Sequence, residues 1–215
     1  MTAAFLPGTA VIAGIGATEF SKNSGRSELR LAAEAVLAAL ADAGLAPRDV
    51  DGMSTFTMET NPENMVARTL GIPELTFFSR IPHGGGGACA PVQQAAMAVA
   101  TGIASVVVCY RAFNERSGVR FGQGPSSGPA AATTEGEYRS WVNPYGLLTP
   151  AQHTAMFARR YMHRYGATSE DYGRVAVTMR KHAAVNPRAW FYGKPLTLAE
   201  HQASRWSALV LSADH

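Results

Sequence analysis

A run of four glycines, Gly84 to Gly87, is the feature of the sequence that most directly suggests chemistry. It stands between a predicted strand and a helix of small residues, where glycine lets the backbone approach a ligand closely. Free N–H groups at the start of a helix favour negative charge, so the run predicts an oxyanion site. No Lys-Ser or Lys-Thr pair follows it, and nucleotide hydrolysis therefore has no support. The alternative is a tight turn that lets the helix pack closely on the strand.

Cys89 suggests a second kind of chemistry, nucleophilic attack by a thiolate. A cysteine near the start of a helix, with His83 as a nearby base, could be activated in this way. Its predicted position, about one turn inside a helix of alanine and glycine, favours packing instead. Cys109 ends an apolar strand and is predicted to lie in the core. Two cysteines cannot form a disulfide framework or a four-ligand metal site.

The remaining candidate ligands lie on predicted amphipathic helices. Three histidines have neither a partner carboxylate nor a two-histidine ligand spacing: His153, His163 and His182. Surface or helix-capping roles are expected for them, and a metal site is not. Three methionines on the same helices are expected in the core: Met156, Met162 and Met179.

The elements that position these residues alternate between strands and helices. Strands are predicted over residues 9–18, 50–57, 74–79 and 104–110, with helices over 27–44, 61–71 and 84–101 between them. This alternation predicts an α/β fold with a mainly parallel sheet covered by helices. Gly14 and Gly16 partly match a dinucleotide fingerprint, but its third glycine is replaced by Glu19, so a tight turn at the end of the strand is favoured.

Periodicity fails from residue 111 to residue 150, where glycine, serine, proline and threonine are frequent. A stretch of this length without structure is usually functional or disordered. Thr149 and Pro150 then begin a predicted helix that ends at Gly166. A second helix begins at Thr168 and must stop before Pro187, and residues 188–201 are expected to form loop and a short helix.

The composition limits the class of protein. The 215 residues are 47% hydrophobic and 16% charged, which is enough to bury a core. The net charge of +3 comes from scattered basic residues, so nucleic-acid binding is not expected. No apolar stretch approaches the ~20 residues of a membrane helix, and no basic segment precedes the apolar start. A soluble, cytoplasmic protein is therefore expected.

Several segments together resemble the thiolase superfamily. They are VIAGIGATEFSK, the glycine-rich helix entry, VVVCYRAFNERS, and Tyr145-Gly-Leu-Leu-Thr-Pro150 with ARRYMHRYGATSEDYGRVAVTMRKHAAVNP. The last resembles the thiolase loop-domain signature. The resemblance implies the N-terminal half of a thiolase-like layered α/β fold: a core over residues 1–112, a helical loop domain over 113–205 and an altered end over 206–215. It covers the chain to about Trp206.

More narrowly, GATEFSKNSGRSELRLAAEAVLAALADAGL, YRAFNERSGVRFGQ and NPRAWFYGKPLTLAEHQASRW resemble the actinobacterial lipid-transfer-protein-type thiolase homologues. Membership would imply an aldolase that splits a 17-hydroxy steroid carboxyl-CoA into a 17-keto steroid and propionyl-CoA. It would also imply a DUF35 OB-fold partner, a homodimer within a hetero-oligomer, and no cofactor other than the CoA of the substrate. The acid/base tyrosines would belong to the C-terminal half of the family.

The position of the thiolase nucleophile decides between reactions. Counted back from Gly102, the family cysteine falls near Gly85, and Cys89 comes about four residues too late. A β-hydroxy substrate can split without an acylated cysteine, but it needs donors for the enolate oxygen. Gly85 and Gly86 are the candidate donors. By resemblance, the substrate-binding residues are His83, Gly84, Tyr145 and Gly146.

Three alternatives stay open at this point. A thiolase that transfers acyl groups to CoA would need Cys89 as its nucleophile. A non-catalytic subunit would bind acyl-CoA, lipid or the DUF35 partner. An unrelated α/β binding module would leave the loop-domain resemblance unexplained.

Overall fold

The computed structural model describes residues 10–56, 59–81, 87–114 and 134–204. It divides the chain into two compact units, Met1–Val119 and Arg120–His215. Each unit is described separately, and the predicted domain limits at residues 112 and 205 stay a prediction.

The first unit begins its regular structure with helix α1, Glu28–Ala43. Ser27 caps it as expected, because its side-chain oxygen accepts a hydrogen bond from the Arg30 amide at 3.2 Å. Gly44 ends it with a φ of 70°, a conformation that glycine adopts without a Cβ penalty. One side of α1 is buried and supplies part of the core: Leu31, Ala32, Ala33, Val36 and Leu40.

Among the described residues, three parallel strands form the sheet of the first unit. They are β1, Gly52–Phe56, β2, Phe77–Ile81, and β3, Val107–Cys109, in the order β2-β1-β3. Gly52 is in register with Phe77 on one side and Val107 on the other. All five residues of β1 are buried, as expected for a central strand with both faces covered. The predicted parallel, helix-covered sheet is confirmed.

Two helices connect the strands. Helix α2, Glu63–Leu70, joins β1 to β2, and helix α3, Ala90–Ala100, joins β2 to β3. The largest fully buried apolar side chains of the unit are Val50, Met53 and Val66. They lie in one cluster with the buried side of α1, so the core forms between β1, α1 and α2.

Residues 10–19 are the main departure from the predicted elements. The apolar run was expected to be a buried strand, and this prediction is wrong: the segment forms no strand, and Val11, Ile12 and Ile15 are exposed. A strand needs the edge of another strand, and no described strand pairs with this segment. Instead it runs along α1, where the Ile15 amide donates to the Asp42 carboxylate at 2.9 Å.

Close approach to α1 also explains the two glycines of this segment. A Cβ on Gly16 would lie 2.3 Å from the Ala35 carbonyl oxygen, and one on Gly14 would lie 2.3 Å from the Ala39 carbonyl oxygen. The close contact with α1 accounts for both glycines without a dinucleotide fingerprint or a turn at the end of a strand. We expect Gly16→Ala to lower the free energy of unfolding by about 2 kcal/mol, because helix backbone cannot yield as a flexible side chain can. Urea unfolding checks this value, with Ala17→Ser as the exposed neighbouring control; equal midpoints for both variants would contradict it.

The second unit is helical where the structure describes it, over residues 134–204. Its α-helices there are α4, Thr134–Val142, α5, Pro150–Tyr165, α6, Ser169–Val185, and α7, Leu198–Gln202. Helix α4 corrects the expectation that residues 111–150 lack regular structure; its sequence TEGEYRSWV is too short and polar to show a period. The other three helices confirm the prediction. At the start of α6 the Thr168 amide donates to the Asp171 carboxylate at 2.8 Å. At the start of α7 the bonds are reciprocal: the Thr197 amide donates to the Glu200 carboxylate at 2.8 Å, and the Glu200 amide donates to the Thr197 hydroxyl at 3.2 Å.

The methionines of the second unit are less buried than expected. Met156 and Met179 are exposed, and Met162 is half-buried. The period of an amphipathic helix indicates which side is apolar, but a neighbour must still cover that side. Within the described part of this unit, no element covers Met156 or Met179, so the core prediction is wrong for these two residues.

Candidate active site

The carboxyl ends of the three strands meet at one edge of the sheet, because all three are parallel. Ligand sites of open α/β sheets form at this edge. The glycine run follows β2 here. His83, Gly84, Gly85 and Gly86 lie outside the described residues. The next residue, Gly87, is described and is buried. Their predicted roles therefore stay predictions.

Cys89 lies at the start of α3, not one turn inside it. The helix begins at Ala90, later than the predicted start at the glycines, and Cys89 is its exposed N-cap residue. Its side chain makes no capping hydrogen bond. The packing interpretation of Cys89 is therefore wrong. The thiol is accessible at this edge, and its role as a nucleophile stays open.

Cys109 is not a core residue either. It ends β3, an edge strand of the described sheet, and remains exposed. Its Sγ nevertheless lies 3.5 Å from the Pro91 carbonyl oxygen of α3. Burial of the sulfur raises the pKa of the Cys109 thiol to about 11. At neutral pH this thiol is protonated, which makes it a poor nucleophile.

A buried carboxylate at the same edge was not found from the sequence. Glu59 is 2% exposed and follows β1. It accepts hydrogen bonds from the Ala112 amide at 2.5 Å, from the Asn61 amide at 2.8 Å and from the Asn61 side chain. A buried charge is stable only when it is paired or hydrogen-bonded in this way. Glu59 therefore joins the segment after β1 to the segment after β3.

Arg80 extends this cluster to β2. Its Nη1 donates to the Glu59 carbonyl oxygen at 2.6 Å, and its Nη2 donates to the Asn61 carbonyl oxygen at 3.2 Å. The same guanidinium makes two bonds to the Glu63 carboxylate, at 3.1 and 3.2 Å. Tyr110 completes it, because its hydroxyl donates to the Asn61 carbonyl oxygen at 2.7 Å. We call Glu59, Asn61, Glu63, Arg80 and Tyr110 the Glu59 cluster.

Tyr110 is unsuited to acid–base catalysis. It is 8% exposed, and burial, with smaller contributions from the Glu63 and Glu59 charges, raises the pKa of its phenol well above its usual range. Its proton is also committed to the hydrogen bond to Asn61. Tyr110 therefore serves as a fixed donor within the cluster.

Arg111 is held at the same edge by two aromatic rings. Its guanidinium carbon lies 4.9 Å from the centre of the Phe56 ring and 4.5 Å from the centre of the Phe113 ring. These cation–π contacts join the end of β1 to the segment after β3.

Tyr145 and Gly146 belong to the second unit. Tyr145 is 82% exposed and ends a short 3-10 helix, Asn143–Tyr145. Gly146 has a φ of 76°, and its amide donates to the Asn143 carbonyl oxygen at 2.9 Å. Their role as substrate-binding residues stays a prediction.

Metal binding finds no support in the described residues. No three side chains of histidine, cysteine, aspartate or glutamate group together there. His163 and His182 lie in the last turns of α5 and α6. The partial negative charge at the C-terminal end of a helix favours basic side chains there.

Residues 10–195 match the family described as "Thiolase, N-terminal domain". The chain belongs to this thiolase family. The resemblance stated from the sequence and the thiolase-like fold are both confirmed. Among the described helices of this thiolase domain, none is long and apolar enough to cross a membrane.

Two curated relatives of this thiolase domain are named for an activity. A steroid side-chain-cleaving aldolase of Thermomonospora curvata is 69% identical over 201 residues, which are 94% of this chain and 51% of the relative. A 17-hydroxy-3-oxo-4-pregnene-20-carboxyl-CoA lyase of Mycobacterium tuberculosis is 67% identical over 203 residues, 94% of this chain and 53% of the relative. The chain thus spans about half the length of these relatives.

A solved structure described as "Ltp2-ChsH2(DUF35) aldolase" is also similar to this chain. It is 69% identical to this thiolase domain with a TM-score of 0.84, and the match covers 94% of this chain and 50% of that chain.

Proposed function

We propose that this chain is part of an enzyme that cleaves a β-hydroxy steroid side chain as its CoA thioester. The products would be a 17-keto steroid and propionyl-CoA. The observation that carries the proposal is the identity of 69% and 67%, over 94% of this chain, to proteins named as a steroid side-chain-cleaving aldolase and a steroid carboxyl-CoA lyase.

The reaction is a retro-aldol cleavage. A base takes the proton of the substrate hydroxyl, and the oxygen electrons form a ketone while the C–C bond to the α-carbon of the thioester breaks. The bonding pair passes to the thioester as an enolate, and a proton delivered to the α-carbon gives propionyl-CoA. The step needs no external oxidant or reductant, and we propose that the enzyme uses no cofactor beyond the CoA carried by the substrate.

The glycine run is suited to this reaction. Counted back from Gly102, the acylated cysteine of thiolases would fall near Gly85, so we infer that a retro-Claisen route would lack its usual nucleophile. We assign the Gly85 and Gly86 amides as donors to the enolate oxygen, the atom on which charge develops. His83, Gly84, Tyr145 and Gly146 would line the substrate site.

The proposal also includes a protein partner and a cellular location. The solved relative is described as an assembly with a DUF35 protein, and we propose the same type of OB-fold partner for this chain, in a hetero-oligomer built on a homodimer. We also propose a cytoplasmic location, in keeping with the proposed CoA-thioester substrate.

Cys89 is the basis of the rival activity, acyl transfer to CoA, because it is exposed at the start of α3. The test is to replace it by serine in the whole protein with its DUF35 partner and to follow cleavage of a β-hydroxy steroid CoA thioester. We expect kcat within about twofold of the unchanged protein, since an aldolase does not acylate this thiol. Cys89→Ala serves as the matched control without a hydroxyl. A loss of 100-fold or more in both variants would contradict the proposal that this thiol is dispensable. Cleavage of a β-keto thioester only when free CoA is present would favour acyl transfer, and an unchanged protein inactive on both substrates would favour a binding subunit.

A further inference from the structure

Arg111 is an exposed cation at the carboxyl edge of the sheet. It follows β3 by two residues, and its guanidinium lies against Phe56, the last residue of β1, and against Phe113. Phe56 is 4% exposed, so this ring is part of the packed protein and gives the guanidinium a fixed support. The two ring contacts restrict the side chain before any ligand arrives, which lowers the entropic cost of binding.

The N–H donors of this guanidinium find no acceptor in the described part of the chain. No described residue forms a hydrogen bond or an ion pair with the Arg111 side chain. Three other arginines of the same unit each pair with a glutamate: Arg26, Arg30 and Arg80. Contact with the face of a ring uses no N–H, because the five donors of a guanidinium lie in its own plane. Arg111 is therefore a supported cation whose donors suit an anion.

We propose that Arg111 binds a phosphate group of the CoA thioester. This inference rests on the proposed function. The proposed substrate carries its charge on the CoA phosphates, because its hydroxyl, ketone and thioester groups are neutral. A guanidinium can meet two phosphate oxygens with two parallel hydrogen bonds. The carboxyl edge of an open α/β sheet is also the place where ligands bind.

The enolate oxygen is the other negative charge that arises in the proposed reaction. Strong stabilisation of a developing charge needs donors in a site from which water is excluded. Arg111 is exposed, so it is poorly suited to that role. The phosphates of CoA are charged in water and in the complex alike. Arg111 therefore contributes to binding and not to the chemical step.

The test compares Arg111→Gln with Arg68→Gln in the whole protein with its partner. Glutamine removes the charge and keeps a polar side chain. Arg68 is the matched control, because it is also exposed but lies in the last turn of α2, which ends near the start of β2 at the opposite edge of the sheet.

For Arg111→Gln we expect the dissociation constant of free CoA, measured by titration calorimetry, to rise about 10-fold, the effect of losing one charge-assisted contact. KM for the β-hydroxy steroid CoA thioester should rise by a similar factor, with kcat within about twofold. Arg68→Gln should change none of these quantities.

A pantetheine thioester of the same steroid acid identifies the group that Arg111 meets, because it lacks the nucleotide and its phosphates. With this substrate, kcat/KM should be the same for the unchanged protein and for Arg111→Gln. An equal loss of kcat/KM with both thioesters would overturn the assignment to a phosphate.

An unchanged dissociation constant for CoA in Arg111→Gln would overturn the inference, and so would a fall in kcat at constant KM or an unchanged protein that binds no CoA. Should that variant fail to fold, Phe113→Leu takes its place, because it removes one ring beside the guanidinium; several-fold weaker CoA binding supports the inference, and unchanged binding overturns it. The proposed function fails separately. A protein that binds CoA through Arg111 but cleaves no β-hydroxy thioester would refute the cleavage and retain the phosphate site.

Discussion

Replacing Gly86 by proline is expected to lower kcat for thioester cleavage by about 100- to 1,000-fold, the loss typical of one missing oxyanion donor. Proline has no N–H, so one of the two amides assigned to the enolate oxygen disappears. KM should change much less, because the enolate charge is absent from the bound substrate. Steady-state kinetics on a β-hydroxy steroid CoA thioester, with the DUF35 partner present, measure both constants.

Gly86→Ala is the matched control for this change. It adds a side chain at the same position but keeps the N–H, so it separates loss of the donor from crowding of the site. The alanine variant should retain clearly more activity than the proline variant. Unchanged turnover in Gly86→Pro would show that this amide does not stabilise the enolate.

Removal of the buried carboxylate by Glu59→Ala should lower the free energy of unfolding by about 3 kcal/mol. The reason is that the Ala112 amide and the Asn61 amide lose their acceptor while they stay buried. Urea unfolding of the whole protein measures the effect.

The control for Glu59→Ala is Glu170→Ala. Glu170 pairs with Arg174 on α6, and its side chain is 59% exposed, so its loss should cost less than 1 kcal/mol. Similar unfolding midpoints for the two variants would show that the Glu59 carboxylate contributes no more than a surface charge.

Local features of the fold could be predicted from the sequence because their causes lie within a few residues. Ser27 and Gly44 enclose α1, and Thr149 and Gly166 enclose α5, as capping chemistry predicts. The Glu59 cluster could not be found in this way. Glu59 meets Ala112 across 53 residues of sequence, and a glutamate after a strand usually indicates a solvated loop. The one available signal was Arg80, a charged residue directly after the predicted strand 74–79.

Apolar patterns gave less reliable predictions where burial depends on a distant neighbour. The run from Val11 to Ile15 has the composition of a buried strand, yet it lies exposed along α1. The same holds for Met156 and Met179, since a hydrophobic period reports an apolar side and not the element that covers it.

In the candidate site, too, some features could be read from the local sequence and others depended on the fold. The glycine run was evident from the sequence, whereas the expectation that the family cysteine would fall near Gly85 came from resemblance and stays a prediction. The position of Cys89 depended on where α3 begins, and a start at Ala90 instead of Gly84 moves this thiol from the helix interior to its exposed end.

The most direct test of the proposed cleavage is product analysis with the whole protein and its DUF35 partner, on a 17-hydroxy steroid CoA thioester in deuterium oxide without free CoA. We expect equal amounts of 17-keto steroid and propionyl-CoA by mass spectrometry, with one deuterium on the α-carbon of propionyl-CoA where the enolate is quenched. Intact substrate, or consumption of the substrate without both 17-keto steroid and propionyl-CoA, would contradict retro-aldol cleavage.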